Sequence, residues 1–527
     1  MNRFLFCTLL LLNFASAGEP AKVDFATHIA PIVHSKCSMC HRQGQPGPFE
    51  LLSYDDVRER GLTIQAVIHD RYMPPWKPVN EDVEFAHDRR LTKAEIRLID
   101  EWIDAEMPAG DLSRVKAPDY SSGWALGKPD AILKMNGRFM VPASGRDVYR
   151  SFVFEADFPE DKWVKAVELR PTARGAVHHA LFFVDTSGEA RSRDGQDGKA
   201  GLSGMSFLRQ GGDRQRGSLR TRSGSSSTSG VRGLGGYVPG AMPNKLPGDL
   251  ALPLPKGGDI VMQTHFHPSG KVEYEQAELA LYFADRPPAR QIVPIQLPPL
   301  FGRLAGIDVP AGESDFEIRE SFTLPVDVEA VQISGHAHYI CREMELTATL
   351  PGGTKIDMLS IDDWDLDWQD NYQFREPVML PAGTRLDARL MYDNSAENPE
   401  NPHSPPRRIK WGRESTDEMG SVTLQVVAKR SSDRIKLQQA TRQLITRSFS
   451  KAVPRGTDRA RGGNIRGQIL DGRLIQLLDR NKDGKLQKTE IPQRLQERFL
   501  SIGDTNNDNV IDEQEIKRAL SALGGTR

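Results

Sequence analysis

Four cysteines in 527 residues are too few to hold an exported chain together by disulfides. Cys7 lies in the N-terminal apolar run, Cys37 and Cys40 share one motif, and Cys341 stands alone, so no pair is left to staple a scaffold. Long apolar runs are missing too. Beyond the N-terminus nothing approaches the roughly 18 uninterrupted apolar residues of a spanning helix, so no transmembrane anchor is expected. Charge of one sign is also missing: 69 basic against 71 acidic residues leave a net charge of -2. No global field points to nucleic acid or to an acidic membrane surface. Aromatic residues are sparse at 7%, while 46 glycines and 35 prolines lean towards β structure with many turns. A mean hydropathy of -0.48 suits a soluble, loop-rich protein, and the length exceeds what one core fills.

Met1-Asn2-Arg3 gives a positive start, Phe4 to Phe14 is mostly apolar, and Ala15-Ser16-Ala17 has the small-x-small form of a cleavage site. Residues 1–17 therefore read as a signal peptide, too short to span a bilayer, and the mature chain is expected in the periplasm or secreted. Cys7 sits inside the apolar run rather than after it, so no lipid-anchored cysteine is read there.

Residues 18–118 form the first expected unit. Cys37-Ser38-Met39-Cys40-His41 is the C-x-x-C-H pattern of covalent c-type haem attachment, in which both thiols add to porphyrin vinyl groups and His41 is the proximal iron ligand. The competing readings are a redox dithiol, which wants a βαβ context, and a zinc half-site, which wants a second ligand pair nearby; neither context is visible. Met73, in Arg71-Tyr72-Met73-Pro74-Pro75-Trp76, is the expected second axial ligand, with His69 its competitor. His/Met ligation raises a haem potential, as suits an electron carrier. Thr92-Lys93-Ala94-Glu95 is a capping box opening a helix with Ile96, Ile99 and Ile103 on one face, stopped by Pro108 and Gly110. A helix closing the unit behind a haem motif resembles the C-terminal helix of class I cytochrome c domains.

From about residue 119 to 430 short apolar runs alternate with Pro/Gly turns, as in β-sandwiches. Residues 188–236, rich in Gly, Ser and Arg, read as a flexible insertion. Half of the 12 histidines fall in three short clusters here: His178-His179, His265 with His267, and His336 with His338. In a strand, positions i and i+2 leave the same face, so His336 and His338 point together and Ala337 points away. One histidine on an apolar face is usually a satisfied core residue; three clusters point to metal. Adjacent His178 and His179 would diverge in a regular strand, so sharing an ion requires a bulge or a strand end. Cys341 sits at an odd offset from His338 and reads as a buried core thiol.

Residues 431–467 are basic and polar and read as a linker with some helix. In 468–527 come two twelve-residue loops with the ligand spacing of calcium-binding EF-hands. The first offers Asp479, Asn481, Asp483, Lys485 through its carbonyl, Gln487 and Glu490; the second offers Asp504, Asn506, Asp508, Val510 through its carbonyl, Asp512 and Glu515. Asn509 replaces the turn glycine of the second loop, and Asn tolerates the left-handed conformation.

The order His178-His179, Gln263-x-His265-aromatic, His336-x-His338 and Asp417-Glu418-Met419 resembles the copper type II, ascorbate-dependent monooxygenases, which include the peptidylglycine α-hydroxylating and dopamine β-hydroxylating enzymes. The resemblance covers roughly residues 147–429. It implies two sandwich domains (119–290 and 291–430) facing a cleft. It also implies one copper on His178, His179 and His265, and another on His336, His338 and Met419, where oxygen is activated. Imidazoles alone suit zinc as well, whereas a thioether selects Cu(I). Met391 is the rival sulfur. Where the peptide-amidating members carry an Arg and a Tyr that clamp a peptide carboxylate, this chain has Ser334 and Thr423, so a peptide C-terminus is not the expected substrate. His267 has no counterpart and reads as a surface or supporting residue.

The expected architecture is multidomain: an α-helical cytochrome c-like domain, two antiparallel β-sandwich domains and an α-helical EF-hand pair. The expected function is an exported copper monooxygenase that takes molecular oxygen, an organic substrate and electrons from a reductant or donor protein by way of haem c, with two coppers and calcium. The alternative is a non-catalytic electron-transfer or copper-binding protein.

Overall fold

Alternating burial along short β-branched segments organises most of the chain into antiparallel sheets. The computed structural model describes residues 23–43, 47–116, 124–203, 231–239, 243–412, 414–452, 485–490, 500, 504, 508–512 and 515. The expected signal peptide at 1–17 lies outside the described residues, as do 204–230 of the expected insertion.

The first sheet pair is built from β1 (Ala131–Lys134), β2 (Phe139–Val141), β3 (Val148–Phe154), β4 (Lys162–Arg170), β5 (Val177–Asp185), β6 (Leu202–Ser203), β7 (Val231–Tyr237), β8 (Leu252–Leu254), β9 (Asp259–Phe266), β10 (Glu273–Glu275) and β11 (Glu278–Phe283). A five-stranded sheet of order β6-β3-β9-β5-β7 packs on a four-stranded sheet of order β1-β11-β4-β8. Phe152, Phe154, Ile260 and Met262 from the one meet Val164, Leu279 and Leu281 from the other.

The second pair uses β12 (Ile292–Leu297), β13 (Asp308–Val309), β14 (Phe316–Thr323), β15 (Val328–Ala337), β16 (Cys341–Thr349), β17 (Lys355–Ile361), β18 (Asn371–Leu380), β19 (Arg385–Tyr392), β20 (Ile409–Lys410) and β21 (Gly420–Ala428). Its sheets run β12-β21-β15-β18 and β14-β19-β16-β17. Leu246 and Leu250 from the first pair pack on Val331 and Val427 of the second. At roughly 1.5–3 kcal/mol for each large apolar side chain fully buried, this patch holds the two pairs together.

The expected mixed class is corrected by the secondary structure: strand accounts for 35% of the described residues and helix for 19%, and among them no large helical cytochrome domain forms. The N-terminal helices α1 (Ala30–Lys36), α2 (Tyr54–Glu59), α3 (Gly61–His69) and α4 (Lys93–Asp104) are short, and only α4 exceeds nine residues. They gather around a small core of Phe25, Ile29, Ile64, Ile68, Ile99 and Trp102. The expected capping box does open α4, with Thr92 and Glu95 bonding reciprocally. The physical reason for the correction lies between α3 and α4. That stretch is extended, bridges β17 and β18 through Pro78–Ile361 and Phe85–Phe374, and buries Trp76, Val83 and Phe85 in the second pair's core. It belongs energetically to the β structure.

Two further expected segments fall partly within the described residues. The expected linker begins as α6 (Arg434–Ala452), whose Leu437 and Leu444 join the second pair's core. The start of the expected flexible insertion is built in: α5 (Glu189–Arg193) and β6 follow β5, and Arg150 pairs with Asp197 while bonding the carbonyls of Lys199, Ala200 and Gly201. At the C-terminus the described residues form a small ribbon of β22 (Leu486–Gln487) and β23 (Val510–Ile511), and the helices expected to flank the two loops lie largely outside the described residues. Among the described residues no helix is long and apolar enough to cross a membrane.

Candidate metal centres

β9 is the middle strand of its sheet and is buried along its whole length, so His265 is held from both sides: it pairs with Tyr149 on β3 and with His179 on β5. The Tyr149 ring stacks on it at 4.3 Å. The β5–β9 register slips between Val177 and His179, which makes His178 the extra residue of a bulge. The bulge is the local feature that adjacent histidines need in order to share an ion. Ligand atoms of His178, His179 and His265 lie within 4.8 Å of one another.

Hydrogen bonds set the tautomers. His265 Nε2 is 2.7 Å from Asp147 Oδ2, and a carboxylate only accepts, so Nε2 carries the proton. His265 Nδ1 then keeps a lone pair, and it is buried without a hydrogen-bond partner. His178 Nε2 is 2.5 Å from Asp367 Oδ1, which leaves its Nδ1 facing His179 Nδ1 at 3.0 Å. A cation among these nitrogens would satisfy them together; an orphaned buried acceptor otherwise carries a desolvation cost. Burial lowers the basicity of His179 far below the usual imidazole range, and neighbouring His265, His178, His336 and His338 lower it further. Burial alone would raise the Asp147 carboxyl, but bonds from His265, His267 and Ser415 hold it well below the usual carboxylate range. His267 is exposed and braces Asp147, its Nδ1 2.9 Å from Oδ1.

The second cluster grows from β15 and β21. His336 is opposite Ser421 and Ala337 opposite Gly420, and His338 and Met419 are the residues just beyond these two strand ends. Met419 Sδ lies 3.0 Å from His336 Nε2. His336 Nδ1 donates to Gln369 Oε1 at 2.6 Å, and His338 Nδ1 donates to the Asp417 carbonyl at 3.2 Å. With Nδ1 engaged in each ring, Nε2 is the nitrogen that would face an ion. Burial drives the basicity of His338 down to about 3, with His336 adding to the effect. Glu418, fully buried, accepts the backbone N–H groups of His338 at 2.6 Å, Met419 at 2.8 Å and Ile340 at 3.2 Å, fastening the two ligand segments together. Burial pushes its carboxyl up to about 8 despite those donors. Gly420 must lack a side chain, because a Cβ there would come 2.1 Å from the Tyr392 hydroxyl.

Met391, the rival sulfur, lies in the other sheet on β19, opposite Glu317 and Glu343, and is not part of this cluster. Cys341 is a buried free thiol in the second pair's core. Leu300 and Phe301, both in left-handed conformation, bring the Phe301 ring to 5.2 Å from His336. Bulky residues held there cost about 1–3 kcal/mol each, a strain that clusters at functional sites. A cavity of about 140 Å³ opens beside His178 and is lined by His267, Tyr339, Trp364, Asp367 and Glu400 among others.

Elsewhere, Cys37 and Cys40, at the turn after α1, are not joined in a disulfide, and burial pushes Cys37 up to about 12. His41 Nδ1 donates to the Phe49 carbonyl at 3.1 Å, which leaves Nε2 as the ligating nitrogen. Two cysteines outside any disulfide and an oriented imidazole fit covalent haem attachment. Met73 follows α3, its N–H bonded to the Val67 carbonyl. His69, the competing axial ligand, is engaged by Asp100 at 3.0 Å. Of the calcium positions, Asp504, Asp508 and Glu515 gather within 4.8 Å, and Asn509 adopts φ 63°. Asp512 N–H bonds Glu515, Gln487 N–H bonds Glu490, and Gln487 pairs with Val510 between the loops; Lys485 is exposed. Asp479, Asn481, Asp483 and Asn506 lie outside the described residues.

Asp147, Asp367, Gln369 and Ser415 were not legible as site residues. Only the pairing of β3 with β9 and the docking of the Leu366–Trp368 turn reveal them. Glu418 had a signal, its place inside Asp-Glu-Met.

No family model matches the chain, and no curated protein does. Among solved structures the chain is similar to the major capsid protein P2 of bacteriophage PM2, at 12% identity over 56% of this chain and 97% of that one, with a TM-score of 0.23. It is similar also to PNGF-II, at 11% identity over 56% of this chain and 65% of that one, with a TM-score of 0.24. Similarities of this size bear on neither fold nor function.

Proposed function

We propose that the chain is an exported, copper-dependent monooxygenase that hydroxylates a C–H bond of an organic substrate, with electrons arriving through a c-type haem attached at Cys37, Cys40 and His41. The observation that carries this reading is the placement of Met419 Sδ 3.0 Å from His336 Nε2, beside two imidazoles whose other nitrogens are committed to Gln369 and Asp417. Zinc needs no such sulfur, while a thioether among imidazoles selects Cu(I). His178, His179 and His265 would hold the partner ion, braced by Asp367 and Asp147. Bound copper supplies one-electron redox chemistry and oxygen activation. The overall reaction balances when one oxygen atom enters the C–H bond, the other leaves as water, and two electrons and two protons are consumed. The chain's own residues orient the imidazoles, exclude water by burial and place Phe301 beside His336. Asp504, Asp508 and Glu515 support a structural calcium.

One observation favours the rival, a non-catalytic copper or electron-transfer protein: the cavity beside His178, about 140 Å³, is smaller than the roughly 300–1,000 Å³ of ordinary ligand pockets. Two measurements separate them. Elemental analysis of the full chain is expected to give two coppers and one haem iron. Oxygen uptake by the reduced protein is expected to rise with a panel of organic substrates and to vanish in Met419→Ile. Copper without any substrate-dependent uptake would establish the rival.

A further inference from the structure

Two short segments of the second sheet pair each touch both histidine clusters. In the first, Asp367 receives His178 Nε2 at 2.5 Å and Gln369, two residues on, receives His336 Nδ1 at 2.6 Å. The segment between them is stiff: it is a single 3₁₀ turn, with Gln369 Nε2 donating back to the Leu366 carbonyl at 2.9 Å and Asp367 N–H to Asp365 at 2.9 Å. In the second, Ser415 Oγ donates to Asp147 Oδ2 at 3.1 Å, and the same Asp147 oxygen holds His265 at 2.7 Å. The Tyr149 hydroxyl meets Ser415 Oγ at 2.8 Å. Four residues on from Ser415 stands Met419, and the Asp417 carbonyl between them holds His338.

The two segments are thus struts of like design. Each reaches a first-cluster histidine at one end, Asp367 directly and Ser415 through Asp147, and a second-cluster ligand at the other. The loop carrying the Asp367 strut is also tied to the N-terminal unit, by Arg71 to Asp362 at 3.0 Å, Lys77 to Asp363 at 3.0 Å and Arg89 to Asp370 at 3.1 Å. A displacement of His178 therefore cannot be absorbed by the loop swinging freely. It is transmitted through two residues to the ring of His336.

We propose that Asp367 and Ser415 are positioning residues that couple the two clusters, so that an ion on His178, His179 and His265 strengthens binding at His336, His338 and Met419. This rests on the copper reading above. An ion on the first cluster fixes the His178 and His265 rings. Asp367 and Asp147 are fixed with them, and the struts hold Gln369, Asp417 and Met419 in the geometry that the second ion needs. Binding free energies are reciprocal, so the second ion strengthens the first by the same factor.

The test is anaerobic titration of the full-length apoprotein with Cu(I) against a chromophoric chelator, taking the site lost in Met419→Ile as the second cluster. His179→Ala disables the first cluster. It is expected to weaken the second by about fivefold or more in the parent, but by no more than about twofold when Asp367→Asn and Ser415→Ala are also present. Each strut substitution alone is expected to give an intermediate loss, which keeps the test decisive should the double variant not fold. No loss in the parent, or the same loss with and without the strut substitutions, would overturn the coupling while leaving the copper sites standing. A parent that binds no Cu(I) would overturn both the copper reading and the inference built on it.

Discussion

The two histidine clusters use the same ligand type but brace it differently. In the first, two imidazoles hand their outer N–H to carboxylates, Asp147 and Asp367. In the second, both rings hand theirs to neutral oxygens, the Gln369 amide and the Asp417 carbonyl, and the third ligand is a thioether. A carboxylate behind an imidazole raises its basicity as a ligand, and an amide does so less. The first cluster is thereby suited to an ion that changes charge, and the second to a soft, reduced one. The difference lies in the bracing residues more than in the histidines.

The comparison can be broken most severely at the sulfur. Met419→Ile is expected to lower Cu(I) affinity at the second cluster by about 100-fold or more, while the first shifts only by the coupling factor of about fivefold. Chelator competition reads both. Next, Asp147→Asn is expected to cost the first cluster about 10–100-fold in copper affinity, with the second again moving no further than the coupling allows. A smaller change follows from Gln369→Ala, about tenfold at the second cluster, because a neutral acceptor contributes less than a carboxylate. Equal losses from the Asp147 and Gln369 substitutions would erase the distinction drawn between the two sites.

The last prediction concerns the scaffold and leaves copper binding unchanged. Glu275 is fully buried in the first sheet pair, and burial pushes its carboxyl up to about 7 although it accepts the N–H groups of Ala173 and Thr172. The folded chain then holds a proton that the unfolded chain releases. Its contribution is fully present below the unfolded value of about 4.3 and is lost as pH rises towards 7, at up to about 1.4 kcal/mol per pH unit. Thermal melts should show the parent losing stability between about pH 5 and pH 7 more steeply than Glu275→Gln.

Much of the candidate site was legible because it depends on local rules. Period-two geometry expected His336 and His338 on one strand face, and they flank the end of β15 with their rings 5.6 Å apart; adjacency alone demanded the bulge found at His178. The bracing residues were not legible, since Asp147 reaches His265 across 118 positions and Asp367 reaches His178 across 189. No local pattern marks such partners. The fold class was misread for a related reason. Thr92 and Glu95 do cap a helix, but short capped helices do not make a helical domain, and the chain from Trp76 to Phe85 spends its apolar residues on the second sheet pair. Some helix was expected where α6 lies, but its polar surface hid its docking, which rests on Leu437 and Leu444 in the second pair's core.

X-ray absorption at the copper edge of the full-length, reduced protein is the most direct test of the central claim that two unlike copper sites are built from six side chains. The account predicts imidazole coordination throughout and one sulfur for every two coppers, with the sulfur signal gone in Met419→Ile. Copper bound with no sulfur in the parent, or zinc retained in preference to copper, would contradict it.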